Sequence, residues 1–213
     1  MAPLIKVDKL SKVFRLKDSI FKRSRFCALH PLSFELEARE TLAVVGETGS
    51  GKSTLAKLLV GAERPTTGII TLNGQNLVNG KLKHRCRHVR MIFQDSGTTL
   101  NPNLTIGQLL DEPLYLNTHM SAKERDSVIR STLQRVGLLP DHMNFYPHMF
   151  SGGQAQRIGI ARALILDPKV VIIDEALAPL DPSLRAQVIN LLLELQETHQ
   201  LTYILISHQI SLI

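Results

Sequence analysis

The sequence predicts an α/β fold whose parallel sheet gathers the reactive residues at one edge, and three stretches carry that prediction. An extended apolar run, Thr41 to Val45, enters the turn Gly46-Glu47-Thr48-Gly49-Ser50-Gly51-Lys52-Ser53, and a helical pattern from Ser53 to Val60 follows. Val170 to Ile173 is an uninterrupted apolar run entering Asp174-Glu175, as in strands buried on both faces. Tyr203 to Ile206 is a further buried strand, leading into Ser207-His208. Strands ending in a glycine loop, an acid pair and a histidine would bring all three to the carboxyl edge of the sheet, the usual ligand side.

Taken in order, the chain begins with β-structure at Leu4 to Val7, Val13 to Leu16, Leu32 to Leu36 and Leu42 to Val45. The basic stretch Lys17 to Arg25 reads as a loop, and Glu37 to Glu40 as a short hairpin-like connection that is strained because it has no glycine. Gly61 and Pro65-Thr66-Thr67-Gly68 end the first helix and make a turn. Ile69 to Leu72 is then a strand, Asn73-Gly74 a turn, and His88 to Phe93 a strand ending at Gln94. From Asp95 to about Leu166 the pattern is helical. Ser121-Ala122-Lys123-Glu124 forms a capping box there, and Gly137 ends the helix it starts. Asp181-Pro182 supplies an N-cap and a proline at the first helical position, opening a helix through about Thr198.

The 213 residues suffice for a full core, and 44% apolar with 21% charged content is that of an ordinary globular protein. No run approaches the roughly 18 apolar residues of a membrane span, and the N-terminus lacks the apolar centre of a signal peptide, so a cytosolic chain is expected. Cys27 and Cys86 read as reduced thiols. The net charge of +6 comes from scattered residues with clusters at Lys22-Arg23-Arg25 and Lys81 to Arg90. Without interleaved aromatics these read as a solvated or membrane-adjacent surface, and no nucleic-acid partner is expected.

The glycine turn fits G-x-x-x-x-G-K-[ST], the phosphate-binding P-loop. Glycines let successive N–H groups point inward at an anion, and the helix start adds the positive end of its dipole. Lys52 would reach the β- and γ-phosphates of a triphosphate, and Ser53 would offer its hydroxyl to Mg²⁺. Asp174, at a strand end, can reach the same ion, while Glu175 can polarise an attacking water. Ser151-Gly152-Gly153-Gln154, ahead of the helical stretch AQRIGIARALIL, reads as a second anion-binding helix start. One nucleotide does not need two such starts, so the second is expected to serve a nucleotide held by another subunit.

The ordered set of P-loop, Gln94 after a strand, Phe150-Ser151-Gly152-Gly153-Gln154, Asp174-Glu175, Leu180-Asp181 and His208 resembles the nucleotide-binding domain of ABC transporters over nearly the whole chain. The resemblance implies a P-loop NTPase fold with a RecA-like core, an N-terminal antiparallel β-subdomain and an inserted α-helical subdomain at about 95–166, within one domain spanning 1–213. It implies an ATPase with ATP and Mg²⁺, in which Phe14 stacks on adenine, Gly46 to Ser53 with Thr54 hold the phosphates, and Ser53, Gln94 and Asp174 approach the metal. Glu175, His208 and Gln94 would act on the γ-phosphate and water. Ser151, Gly152, Gly153, Gln154 and Asp181 would complete the site of the opposing subunit. The implied partners are that second ATP-binding subunit, two transmembrane permease subunits and a periplasmic peptide-binding protein, at the cytoplasmic face of a bacterial inner membrane.

Within the family, Phe93-Gln94-Asp95 with Ser96 to Pro102, and Gly137 to Pro140 ahead of Tyr146-Pro147-His148, are similar to the oligopeptide and dipeptide importer branch. Asp174-Glu175-Ala176-Leu177, Gly137 to His142 and Ala161 to Lys169 resemble Sap-type peptide systems most closely. Phe150, Pro179, Gln209 and the glycine-free Ala38-Arg39 turn depart from the usual pattern. The chain also stops soon after His208, which leads to the expectation of a C-terminally truncated cassette. The alternatives are a soluble non-transport ABC ATPase and an inactive remnant.

Overall fold

Alternating apolar residues early in the chain and continuous apolar runs late in it sort the strands into two different sheets. The computed structural model describes residues 3–17, 23–78, 82–93 and 100–208. The antiparallel sheet holds β1 (Ile5–Lys17), β2 (Arg23–Leu36), β4 (Thr67–Leu72) and β5 (Gln75–Asn76), in the order β2-β1-β4-β5. The parallel sheet holds β3 (Thr41–Val45), β6 (Val89–Ile92), β7 (Val170–Asp174) and β8 (Thr202–Ser207), in the order β3-β8-β7-β6. The helices are α1 (Lys52–Val60), α2 (Leu82–His88), α3 (Ile106–Asn117), α4 (Ala122–Arg135), α5 (Gly152–Leu164) and α6 (Pro182–His199).

Strand β7 shows why its sequence is uniformly apolar. Val170 and Ile172 enter a core made with α1 and the antiparallel sheet, where Leu58, Leu59, Ile5 and Ile70 are buried. Val171 and Ile173 face a second core with Ile106, Leu110, Leu133 and Ile158 from the helices. Period-two alternation thus serves two apolar environments, as in a sheet covered on both faces.

Four expectations need correcting. Leu4 to Val7 and Val13 to Leu16 are not separate strands: both lie in β1, which continues through register shifts between Val7 and Val13. Such bulges let one long strand bend instead of breaking. Of the loop expected from Lys17 to Arg25, Lys17 instead ends β1 and Arg23 to Arg25 open β2, while 18–22 lie outside the described residues. Glu37 to Glu40 is not a hairpin, because β2 pairs with β1 while β3 pairs with β8. It carries the chain between sheets, with Arg39 in the left-handed region at φ 68. Its backbone N–H donates to Thr202 Oγ1 at 2.8 Å, and its carbonyl accepts from Gln196 Nε2 at 2.9 Å. Finally, His88 ends α2 instead of opening β6.

The helix boundaries follow the capping signals. Ser121 caps α4 through the expected capping box, and Gly137 follows its end at φ 73. Thr105 with Gln108 forms a further capping box on α3, and Asp181 caps α6 with Pro182 at its first position. Helix α2 has no apolar periodicity. Arg85, buried and held by a bond from Nε to Leu59 O at 2.8 Å, anchors it to the end of α1, and burial pushes its pKa down to about 10.

Candidate active site

Adjacent parallel strands β3, β8 and β7 end side by side, so the segments that follow them converge. After β3 the chain turns through Gly49 at φ 86 and Gly51 at φ 98 into α1. At Gly51 a Cβ would lie 2.4 Å from Ala28 O, so glycine is demanded by close packing as well as by φ. No side chain caps α1, and no acid sits in its first turn. The helix therefore presents bare N–H groups and the positive end of its dipole to an anion.

Lys52 is buried, and its ammonium donates to Gly46 O at 2.7 Å and Glu47 O at 2.8 Å. The cation is thus folded back on the loop it belongs to. Glu47, Thr48, Gly49, Ser50 and Ser53 are exposed around it, and Thr54 is half-buried.

Asp174, at the end of β7, has its pKa raised by burial and by neighbouring Glu175, against the opposing pull of Lys52, Lys57 and a hydrogen bond from Ser53. Its Oδ1 is buried with no hydrogen-bond partner. An orphaned carboxylate oxygen is costly, and a cation satisfies it. With the Ser53 hydroxyl on the same carboxylate, the set fits Mg²⁺, which takes few protein ligands and completes its shell with water and phosphate oxygens.

Glu175 lies in the left-handed region at φ 51, and its N–H donates to Ile206 O at 3.0 Å. Its Oε1 is 3.2 Å from His208 Nδ1. The acid after β7 and the histidine after β8 are therefore brought together. Gln94 lies outside the described residues.

Farther along, Asp181 Oδ1 accepts from Leu184 N at 2.9 Å. The segment between Glu175 and Asp181 is braced by Arg185, a residue the sequence reading did not single out. Its Nε donates to Leu177 O at 3.1 Å, and its Nη2 to Ala178 O at 3.2 Å and Leu180 O at 2.8 Å. An arginine one helical step after an N-cap gives no signal of this, because its partners are backbone carbonyls without sequence identity.

Ser151 caps α5, accepting from Gln154 N while Gln154 Oε1 accepts from Ser151 N at 3.1 Å. Open space surrounds the Cβ position of Gly152, whereas at Gly153 a Cβ would meet Leu184 Cδ1 at 2.9 Å. Among the described residues, no hydrogen bond or ion pair joins Ser151, Gly152, Gly153 or Gln154 to the P-loop. Phe14 sits on β1 directly opposite Phe26, with the Lys12 ammonium 4.7 Å from its ring centroid.

Residues 29–178 match the family model for ABC transporters. The chain is 51% identical over 98% of its length to a peptide transport system ATP-binding protein, SapF, of Salmonella typhimurium strain LT2, and covers 78% of that protein. A protein of Escherichia coli K12 at the same identity and coverage is named a putrescine export system ATP-binding protein. A dipeptide transport ATP-binding protein, DppF, of Haemophilus influenzae is 45% identical over 99% of the chain, which spans 66% of it. Among solved structures, a dimeric ATP-binding cassette in a post-hydrolysis state with ADP and Pi superposes with a TM-score of 0.80 at 25% identity, covering 98% of this chain and 89% of that one.

Proposed function

The chain belongs to the ABC transporter family, and from that premise we propose that it is the ATP-hydrolysing subunit that powers a peptide transport system. The observation carrying the chemistry is the convergence of the P-loop, Asp174, Glu175 and His208 at the ends of neighbouring strands β3, β7 and β8. The relatives named for peptide and dipeptide transport carry the choice of cargo.

In this reading Lys52 exchanges the Gly46 and Glu47 carbonyls for the β- and γ-phosphates, and the N–H groups of Glu47 to Thr54 surround them. Ser53, Asp174 and Gln94 would hold Mg²⁺, which would supply positive charge against that developing on the phosphates. Glu175 turns from His208 to orient the attacking water. His208, released, donates to the γ-phosphate, and Phe14 stacks on the adenine. Most of the rate gain comes from fixed positioning and charge.

Ser151 to Gln154 and Asp181 act on the nucleotide of a second ATP-binding subunit, and their separation from this chain's own P-loop supports that division. The helical portion at about 95–166 is a subdomain that meets one of two transmembrane permease subunits, and a periplasmic binding protein delivers the peptide. No helix among the described residues is long and apolar enough to cross a membrane. The relatives named for peptide and dipeptide transport systems support a peripheral place for the chain, at the cytoplasmic face of an inner membrane.

The test is phosphate release with Mg²⁺ and ATP. Wild type turns over, and Glu175→Gln binds ATP while its turnover falls by about a hundredfold or more. Wild-type turnover in that variant would remove Glu175 from the mechanism. The Escherichia coli K12 relative favours a second reading, amine export. Strains lacking the gene distinguish the two: loss of peptide uptake supports the first, and putrescine retention the second.

A further inference from the structure

The hairpin of β1 and β2 has a bulge where it touches the P-loop. Register passes from Lys12 opposite Leu29 to Val13 opposite Cys27, leaving Ala28 as the extra residue. Ala28 O is the atom a Cβ on Gly51 would strike at 2.4 Å. Bulges twist a strand and re-aim the residues beyond them. The residues beyond this one are aromatic: Phe26, two positions or about 7 Å along the strand, and its cross-strand partner Phe14.

Residues directly opposite in an antiparallel pair share a face. The two rings thus stand on one side of the hairpin, next to the loop that receives phosphates. Phe26 is 54% exposed, although nothing about strand pairing requires a large apolar ring there. The Lys12 ammonium, tied to Glu63 Oε2 at 2.9 Å and Arg64 O at 2.7 Å, covers one face of Phe14. Phe14 is half-buried under that cation, and Phe26, across the strand pair on the same side, is the more open ring to a flat ligand.

We propose that Phe26 is a second base-stacking residue which, with Phe14, forms a platform wide enough to favour a purine over a pyrimidine triphosphate. This rests on the reading of the P-loop as the phosphate site. Stacking on an aromatic ring is strong and tolerant of base identity, so the platform selects base size and leaves adenine and guanine little separated.

The experiment compares wild type, Phe26→Ala and Phe26→Tyr in equilibrium binding of ATP, CTP and inorganic tripolyphosphate, a probe with phosphates and no base. Phe26→Ala is expected to weaken ATP about tenfold, to narrow the ATP-over-CTP preference and to leave tripolyphosphate unchanged, with Phe26→Tyr restoring ATP. Unchanged ATP affinity in Phe26→Ala would overturn the proposal, and so would an equal loss for ATP and tripolyphosphate, which marks a structural role. If wild type bound neither ligand, the P-loop reading would fall and the platform with it. Binding of tripolyphosphate with ATP unaffected by Phe26 would leave the P-loop reading intact and refute the platform alone.

Discussion

At the scale of single residues, Asp174 shows how a half-buried carboxylate with an unpartnered oxygen weighs on the fold that holds it. Its pKa is raised, so the folded state disfavours the ionised form. Below its ordinary value the group is protonated in both states and has no effect. As pH rises the unfolded chain ionises first, and stability is lost until pH passes the raised folded value. In the absence of Mg²⁺ and nucleotide, Asp174→Asn should therefore melt higher than wild type near neutral pH, with the gain vanishing toward about pH 3. A thermal melt series over pH checks this, and a variant that melted lower near neutrality would contradict the account. Asp174 and Glu175 were legible in the sequence because an apolar strand points at them. The pairing of Glu175 with His208 was not, since it depends on β7 and β8 being neighbours.

At the scale of elements, the connections carry what sequence reading missed. Arg39 takes a left-handed conformation that costs a non-glycine residue about 1–2 kcal/mol, against about 0.5–1 kcal/mol of extra unfolded-state freedom for glycine. Arg39→Gly keeps both backbone hydrogen bonds and should stabilise by about 0.5 kcal/mol, read as a higher urea midpoint with unchanged slope. The strain was foreseeable from the absence of glycine. The change of sheet was not, because a local turn pattern does not name the strand's partner. The segment from Leu177 to Leu180 is held by Arg185 alone among charged side chains whose bonds to it are described. Arg185→Ala should lower kcat severalfold or more with ATP affinity retained, and should cost about 1–3 kcal/mol of stability. Arg185→Lys should restore little, because one ammonium cannot replace a planar fork. Full activity in Arg185→Ala would show that the brace is dispensable.

At the scale of the whole molecule, a pair of subunits is required if, as proposed, the starts of α1 and α5 both serve nucleotides. Glu175→Gln with ATP should elute as a dimer and wild type with ADP as a monomer. A variant monomeric at saturating ATP would leave Ser151 to Gln154 without the role given to them. The motifs and the presence of a parallel sheet were legible because each rests on local glycine, cap or strand chemistry, whereas the order of its strands was not. The contact of Gly153 with Leu184, which joins distant stretches, was not. That contact has a consequence for timing. Leu184 is fixed by Asp181, and its neighbour Arg185 grips the residues that follow Glu175. The groups we propose a subunit lends to its partner's nucleotide are therefore geared to the segment beside Glu175, its proposed water-activating acid. In such a pair each engine would sense the stroke of the other, and the two would fire as a coupled cycle.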